Sequence, residues 1–219
     1  MITKIIHEDK IQKAHKYIEK GESFVIVTHV SPDGDAIGSA LGLFHFLNAY
    51  GKENVSVIVP NDYPNFLKWM PGTKDVTIYE KYPEFSEQLI SDADVIFCLD
   101  FNDPKRIEKL ADPVLKSEAR KVLIDHHLHP VEFCNVTMSY PNISSTSEMV
   151  FRFICRMGLF DLIDKNAAEC IYTGMMTDTG AFTYNSNHPE IYTIIGELIK
   201  LGINKDLIYR RINQVYSEG

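Results

Sequence analysis

Aspartates and histidines stand just after three short apolar runs, and chemistry could reside there. Thr28-His29-Val30-Ser31-Pro32-Asp33-Gly34-Asp35 follows the run Phe24 to Val27. Asp100, with Asn102-Asp103-Pro104 behind it, follows Val95 to Leu99, and Asp125-His126-His127 follows Val122 to Ile124. Singly, these segments have ordinary explanations. Pro32-Asp33-Gly34-Asp35 reads as a turn leading into a helix N-cap. Asp103 before Pro104 reads as a helix cap with proline at the first helical position, and that reading is adopted for Asp103. Convergence changes the argument, because burying unpaired charge is costly. Two like charges ~4 Å apart repel by ~4 kcal/mol at an effective dielectric of about 20, so carboxylates collected at one edge need cations.

The ligand types narrow the cation. Carboxylate oxygens with one or two imidazoles and no thiolate suit Mn²⁺, Mg²⁺ or Co²⁺ better than a structural zinc site. His29 and Asp33, four residues apart across a turn, can close on one ion. Asp35 points to a second, and Asp100, at the end of a central strand, is placed to bridge both. Two ions so held clamp the attacking and leaving oxygens of a phosphoryl transfer and activate water near neutral pH.

These residues are carried by an alternation of apolar runs and helical patterns. Phe24–Val27, Val55–Val59, Asp94–Leu99 and Lys121–Ile124 are nearly continuous apolar segments, as in strands buried on both faces of a parallel sheet. Between the first two, Ile37, Leu41, Phe44 and Asn48 share one helical face, with Ala40, Leu43 and Leu47 beside it, and Gly51 supplies the stop. Glu84 to Ile90 and Lys105 to Leu110 read as further helices. Ser145-Thr146-Ser147-Glu148 has capping-box spacing ahead of Met149 to Met157, so a helix starts near Ser145. Helical patterns continue over Asn166–Met176, His188–Leu201 and Lys205–Val215. The fold class is therefore α/β: an open, mostly parallel sheet flanked by helices, with a helical C-terminal layer. Ligands of such sheets bind at the carboxyl ends of the strands, where the aspartates and histidines fall. No internal boundary interrupts residues 1–219, which read as a single domain.

Composition excludes several classes. The chain of 219 residues is 45% apolar and 24% charged, as expected of a globular protein rather than a disordered one. Its 22 basic residues against 30 acidic ones leave a net charge of −8, which argues against coating long duplex DNA or binding an anionic membrane. Cys98, Cys134, Cys155 and Cys170 are scattered, the N-terminal apolar run is too short for a signal peptide, and no stretch approaches a membrane span. A reduced, cytoplasmic protein is the expectation. There is no P-loop, no G-x-G-x-x-G and no zinc-type cysteine spacing. Phe44, Phe46, Phe151, Phe153 and Tyr172 fall at core-like spacing rather than along a basic groove.

His29-x-x-x-Asp33-x-Asp35, Asp100, Asp125-His126-His127 and Thr177-Asp178-Thr179-Gly180 stand in the order and spacing of the four motifs of the DHH phosphoesterase family, which the chain resembles from about Gly21 onward. Thr28-His29 through Gly38-Ser39, Ser144 through Glu148, and Tyr172-Thr173-Gly174 through Ala181-Phe182 are similar to its bacterial oligoribonuclease/pAp phosphatase (nanoRNase-type) branch. The resemblance implies a metal-dependent phosphoesterase that hydrolyses short oligoribonucleotides and pAp-like nucleotides by two-metal activation of water. It implies two divalent ions, Mn²⁺ first and Mg²⁺ or Co²⁺ as alternatives. His29, Asp33 and Asp100 would hold one ion; Asp35, Asp100, His126 and Asp178 would hold the other. Only the family pattern promotes Asp178, which otherwise reads as a helix-terminal residue beside a glycine stop. His127 would sit beside the scissile phosphate, and Asp125 would orient an imidazole.

Four ligand carboxylates and two divalent ions sum to zero, so other cations must draw a phosphate in. Arg106 is the candidate phosphate contact, against the alternative of a solvated helix arginine. Members of the family also carry a smaller C-terminal domain with a Gly-rich, His-containing motif, and no such segment precedes Gly219. A missing C-terminal substrate domain is therefore expected, and the residues leave a homodimer open. Two other readings compete: a family II-type inorganic pyrophosphatase, and a non-catalytic nucleotide-binding module. The second predicts losses among the ligand positions, and all are filled. An aspartyl-phosphate phosphatase would need Asp-x-Asp where Asp100-Phe101-Asn102-Asp103 stands.

Overall fold

The computed structural model describes residues 4–213. Six strands, β1 (Ser23–Val27), β2 (Asn54–Val59), β3 (Val76–Ile78), β4 (Val95–Leu99), β5 (Arg120–Asp125) and β6 (Val136–Ser139), form one sheet in the order β3-β2-β1-β4-β5-β6, every neighbouring pair parallel. The helices are α1 (Glu8–Lys20), α2 (Gly34–Ala49), α3 (Pro83–Ser91), α4 (Ala111–Lys116), α5 (Thr146–Arg156), α6 (Lys165–Asp178), α7 (Pro189–Lys200) and α8 (Lys205–Asn213). Strand order reverses between β1 and β4, which opens a crevice at their carboxyl ends.

Alternation along the strands splits the core in two. Phe24 and Ile26 of β1, Val95, Phe97 and Leu99 of β4, and Val122 and Ile124 of β5 pack with α1, α2 and α5 to α8 on one face. Val25, Val27, Ile96, Cys98 and Leu123 pack on the other with residues of α3 and α4. Both faces are apolar, which is why the four central runs carry no polar alternation.

The edge strands β3 and β6 were not expected. Val76-Thr77-Ile78 is half-buried throughout, and Val136 to Ser139 alternates buried and half-buried positions, so neither has an apolar run to betray it. Helix α1 lies outside the helical patterns of the sequence, although Ile11, Ala14 and Ile18 form its buried stripe. The Lys105–Leu110 pattern is a 3-10 helix spanning Pro104–Leu110, broken at Glu108 (φ 45°) and continued by α4. Asp103 caps it, its carboxylate accepting from the Lys105 N–H at 2.9 Å. On α2, Asn48 is exposed and Phe46 buried. The helix packs against α5, α6 and the sheet, so its burial does not follow one face. Gly51 takes φ 94° just past it, as its stop role requires. The α8 pattern runs to Asn213; the part of it over residues 214–215 lies outside the described residues.

Helix α5 begins as its capping sequence requires, the Ser145 Oγ accepting from the Glu148 N–H at 3.0 Å. The Glu148 carboxylate then departs from the capping-box pattern. It accepts instead from the Ser144 N–H (3.2 Å) and Oγ–H (2.6 Å), and pairs with the buried Arg152 Nε at 2.7 Å. Ser145→Ala is expected to cost about 1 kcal/mol of stability, the usual worth of such a cap. A calorimetric midpoint about 2–4 °C below wild type would show it, and an unchanged midpoint would mean that tertiary packing alone sets the helix start.

Candidate metal centre

The loops after β1, β4 and β5 bring the expected residues together at the crevice. Asp100 follows β4 with φ 65°, a left-handed conformation that aspartate tolerates better than most side chains. Its Oδ2 lies 3.3 Å from His29 Nε2 and its Oδ1 3.6 Å from His126 Nε2, so its two oxygens address imidazoles from different strands. His29 Nε2 is 3.9 Å from Asp33 Oδ1. His126 Nε2 is 3.9 Å from Asp35 Oδ2 and 3.5 Å from Asp178 Oδ2. Candidate ligand atoms lie within 4.8 Å of one another in the trios His29–Asp33–Asp100 and Asp35–His126–Asp178.

Both imidazoles are prepared through the nitrogen they turn away. His29 Nδ1 lies 2.8 Å from the Val30 carbonyl and His126 Nδ1 3.3 Å from the Ile143 carbonyl. A carbonyl only accepts, so Nδ1 carries the hydrogen and Nε2 keeps its lone pair for a ligand. His127 is arranged differently. Its Nδ1 is 2.7 Å from Asp125 Oδ1, and its N–H donates to Asp125 Oδ2 at 3.0 Å. Asp125 is fully buried, so it grips this residue twice and leaves Nε2 as the only ring nitrogen for another partner. Asp100, His126 and His127 also form a close trio, but the bond to Asp125 occupies the nitrogen that His127 would offer there.

Asp33 caps a helix and also reaches the cluster. Its Oδ1 caps α2 by accepting from the Asp35 and Ala36 N–H groups at 3.0 Å each, while the side chain remains 60% exposed beside His29. Asp178 ends α6, where the helix dipole disfavours negative charge. Arg106 is half-buried: its Nη1 donates to the Asp100 carbonyl at 3.4 Å and its own carbonyl accepts from the Val30 N–H at 2.8 Å, so it ties the β1 and β4 loops together.

Residues at the start of α5 were not among those expected here. The Thr146 and Ser147 N–H groups donate to Asp35 at 2.6 and 2.9 Å, and Thr146 Oγ1 donates to Asp100 Oδ1 at 2.8 Å. The usable signal was the helix start itself, since a helix N-terminus attracts an anion. Here that anion is the Asp35 carboxylate.

Charge in the cluster is unbalanced. Burial, then the neighbouring Asp35 and Asp33 charges, push the Asp100 carboxyl well above the usual range, and burial raises Asp35. Burial and then Asp35 push Asp178 up to about 6. Burial alone would lower His126, but the carboxylates of Asp35, Asp100 and Asp178 outweigh it and the net shift is upward. Ion pairs of Asp33, Asp35, Asp100 and Asp178 among the described residues are with imidazoles. An oxygen-rich, imidazole-containing cluster with surplus negative charge fits divalent cations.

A raised carboxyl pKa stabilises the fold only while the group is protonated. The Asp178 contribution is complete below its unfolded pKa near 3.8 and is lost as pH rises through about 6. The metal-free protein should therefore lose more stability between pH 4 and 7 than its Asp178→Asn variant, and Mn²⁺ should offset that loss more in wild type than in the variant. Parallel melting curves of the two across that range would contradict the assignment.

A model of the DHH family, N-terminal domain, matches residues 23–175, a stretch that contains every clustered residue except Asp178. The bifunctional oligoribonuclease and PAP phosphatase NrnA of Thermus thermophilus is 35% identical over 178 residues, covering 81% of this chain and 50% of that protein. Its Bacillus subtilis counterpart of the same name is 26% identical over 199 residues, covering 89% of this chain and 57% of that one. The chain thus spans about half the length of these curated relatives. A crystal structure of an exopolyphosphatase-related protein from Bacteroides fragilis superposes with a TM-score of 0.97 at 59% identity, covering 99% of this chain and 64% of that one.

Proposed function

The chain belongs to the DHH family, and from that premise we propose that it is the catalytic domain of a metal-dependent phosphoesterase. Its substrates are short oligoribonucleotides and pAp-like nucleotides, as the names of its oligoribonuclease/PAP phosphatase relatives suggest. The observation that carries the reading is Asp100, whose two oxygens face His29 and His126 separately within one buried carboxylate cluster. A carboxylate so disposed suits two cations at once. His29, Asp33 and Asp100 would hold one, and Asp35, Asp100, His126 and Asp178 the other, with Mn²⁺ the cation best matched to this donor set. Bound there, divalent cations withdraw charge from a phosphoryl group and activate water near neutral pH.

The chain's own side chains supply the rest. Asp125 fixes the His127 ring through Nδ1, so in the protonated ring the Nε2–H is the group that would give a proton to the leaving oxygen or stabilise its charge. Arg106, anchored on the Asp100 carbonyl, offers its remaining guanidinium hydrogens to a substrate phosphate. The chain aligns to 50% and 57% of the length of these two relatives, and in this reading affinity for the polyanion would come from a further substrate-binding domain. No helix among the described residues is long and apolar enough to cross a membrane; a cytoplasmic location is part of the proposed reading.

The test compares substrates on the Mn²⁺-loaded protein from the whole reading frame. Mononucleotide release from a dinucleotide and phosphate release from pAp are expected to exceed phosphate release from pyrophosphate and from inorganic polyphosphate. Faster turnover of pyrophosphate or polyphosphate would reassign the substrate. Turnover of none of the four would favour a non-catalytic nucleotide-binding module.

A further inference from the structure

We propose that Thr146 is a positioning residue that sets the spacing between the two halves of the cation site by holding Asp35 and Asp100 at once. The inference rests on the metal-site reading above. Asp35 arrives from the start of α2, 111 residues earlier in the chain, and Asp100 from the end of β4, 46 residues earlier. Nothing local sets the distance between their carboxylates. Thr146 meets both: its N–H donates to Asp35 Oδ2 at 2.6 Å and its hydroxyl to Asp100 Oδ1 at 2.8 Å. Both hydrogens come from the threonine, as carboxylates ionised for cation binding require, since such groups only accept.

Three features make Thr146 a stiff spacer. It is fully buried, and its branched Cβ restricts χ1, which fixes the hydroxyl relative to the N–H. Ser147 grips the other Asp35 oxygen at 2.9 Å, so that carboxylate cannot swing about a single bond. The turn beneath is held too, because the buried Glu148 joins Ser144 to Arg152 at 2.6 and 2.7 Å. Each bond to Thr146 uses one lone pair and leaves others on Asp35 and Asp100 toward His126. The Ser144 to Glu148 segment thereby acquires a role beyond starting a helix.

Thr146→Val keeps the shape and the N–H and removes only the hydroxyl, whereas Thr146→Ser keeps the donor. Calorimetric Mn²⁺ titration and the Mn²⁺ electron paramagnetic resonance spectrum are read on both variants, alongside melting of the metal-free proteins. Thr146→Val is expected to bind Mn²⁺ about 10–100-fold more weakly, the usual loss when an outer hydrogen bond to a ligand is cut, with an altered spectrum. Thr146→Ser should stay within about threefold of wild type. Wild-type Mn²⁺ affinity and spectrum in a folded Thr146→Val protein overturn the inference, as does a Thr146→Ser protein as impaired as the valine one. Should the valine protein fail to fold, Thr146→Ala carries the same expectation and the same refutation. Wild-type protein that binds no Mn²⁺ would instead sink the metal-site reading, so the two failures are distinguishable.

Discussion

Asp100→Asn is expected to abolish Mn²⁺-dependent hydrolysis while raising the melting temperature of the metal-free protein. Asparagine tolerates the left-handed backbone at this position (φ 65°), so the change is confined to charge. Burial and the Asp35 and Asp33 charges hold the carboxyl well above its ordinary range, so its ionised form burdens the metal-free fold near neutral pH. Removing that burden stabilises; on the proposed reading, removing a carboxylate shared by two cations would disable both. The loss should exceed the roughly 10–100-fold expected for an outer contact, reaching at least about 10³-fold in kcat/KM, comparable to the loss of a main electrostatic group. Arg106→Ala should cost less and act mainly through KM, since its proposed contact is to one substrate phosphate. Calorimetry with and without Mn²⁺ gives the second readout. Wild type should gain stability as the ion saturates its site, about 2.7 kcal/mol at a hundred times the dissociation constant, and Asp100→Asn should not. An Asp100→Ala or Asp100→Asn enzyme with near-normal Mn²⁺-dependent turnover would remove the metal site from the account.

Gly38→Ala is expected to damage fold and site together. Gly38 lies on α2 where it crosses α6, and a Cβ there would sit 2.6 Å from the Cys170 carbonyl oxygen, 2.8 Å from the Gly174 nitrogen and 2.9 Å from the Gly174 Cα. All three atoms are backbone, so no rotamer change relieves the clash and the helices must part. Overpacking of this kind costs about 1–3 kcal/mol, or a melting decrease of roughly 2–12 °C. Because α2 carries Asp35 and α6 carries Asp178, the same separation pulls apart carboxylates that face His126, and Mn²⁺ affinity should fall with stability. Gly196 is the control. It lies on α7 with nothing within 4 Å of an added Cβ, so Gly196→Ala should stabilise by up to about 1 kcal/mol. If Gly38→Ala leaves melting and Mn²⁺ binding unchanged, the α2–α6 approach is not what spaces the site.

Much of this architecture was legible because its physics is local. Val25, Ile26 and Val27 are buried whichever face they point to, so their run declares a central strand without reference to its neighbours. The short edges β3 and β6 are wrapped incompletely and carry mixed residues, so nothing local distinguishes them from loop. Ser145 announces a helix start because its cap bond closes within three residues. The destination of that start is not local, for Thr146 meets Asp35 across 111 positions. Asp125 was expected to orient an imidazole, and only the folded loop shows that it holds His127 while the Ile143 carbonyl holds His126.

Residue order alone established the parallel α/β plan, the carboxyl-end location of the aspartates and histidines, and a donor set suited to hard divalent cations. Those follow from burial periodicity and ligand chemistry, which are properties of short segments. Folding decided which oxygens face which nitrogens, that Asp178 at the end of α6 comes within 3.5 Å of His126, and that α5 braces both Asp35 and Asp100. Each of those depends on where helices cross, and a crossing is set by the packing of surfaces far apart in the chain, which no short run of residues encodes.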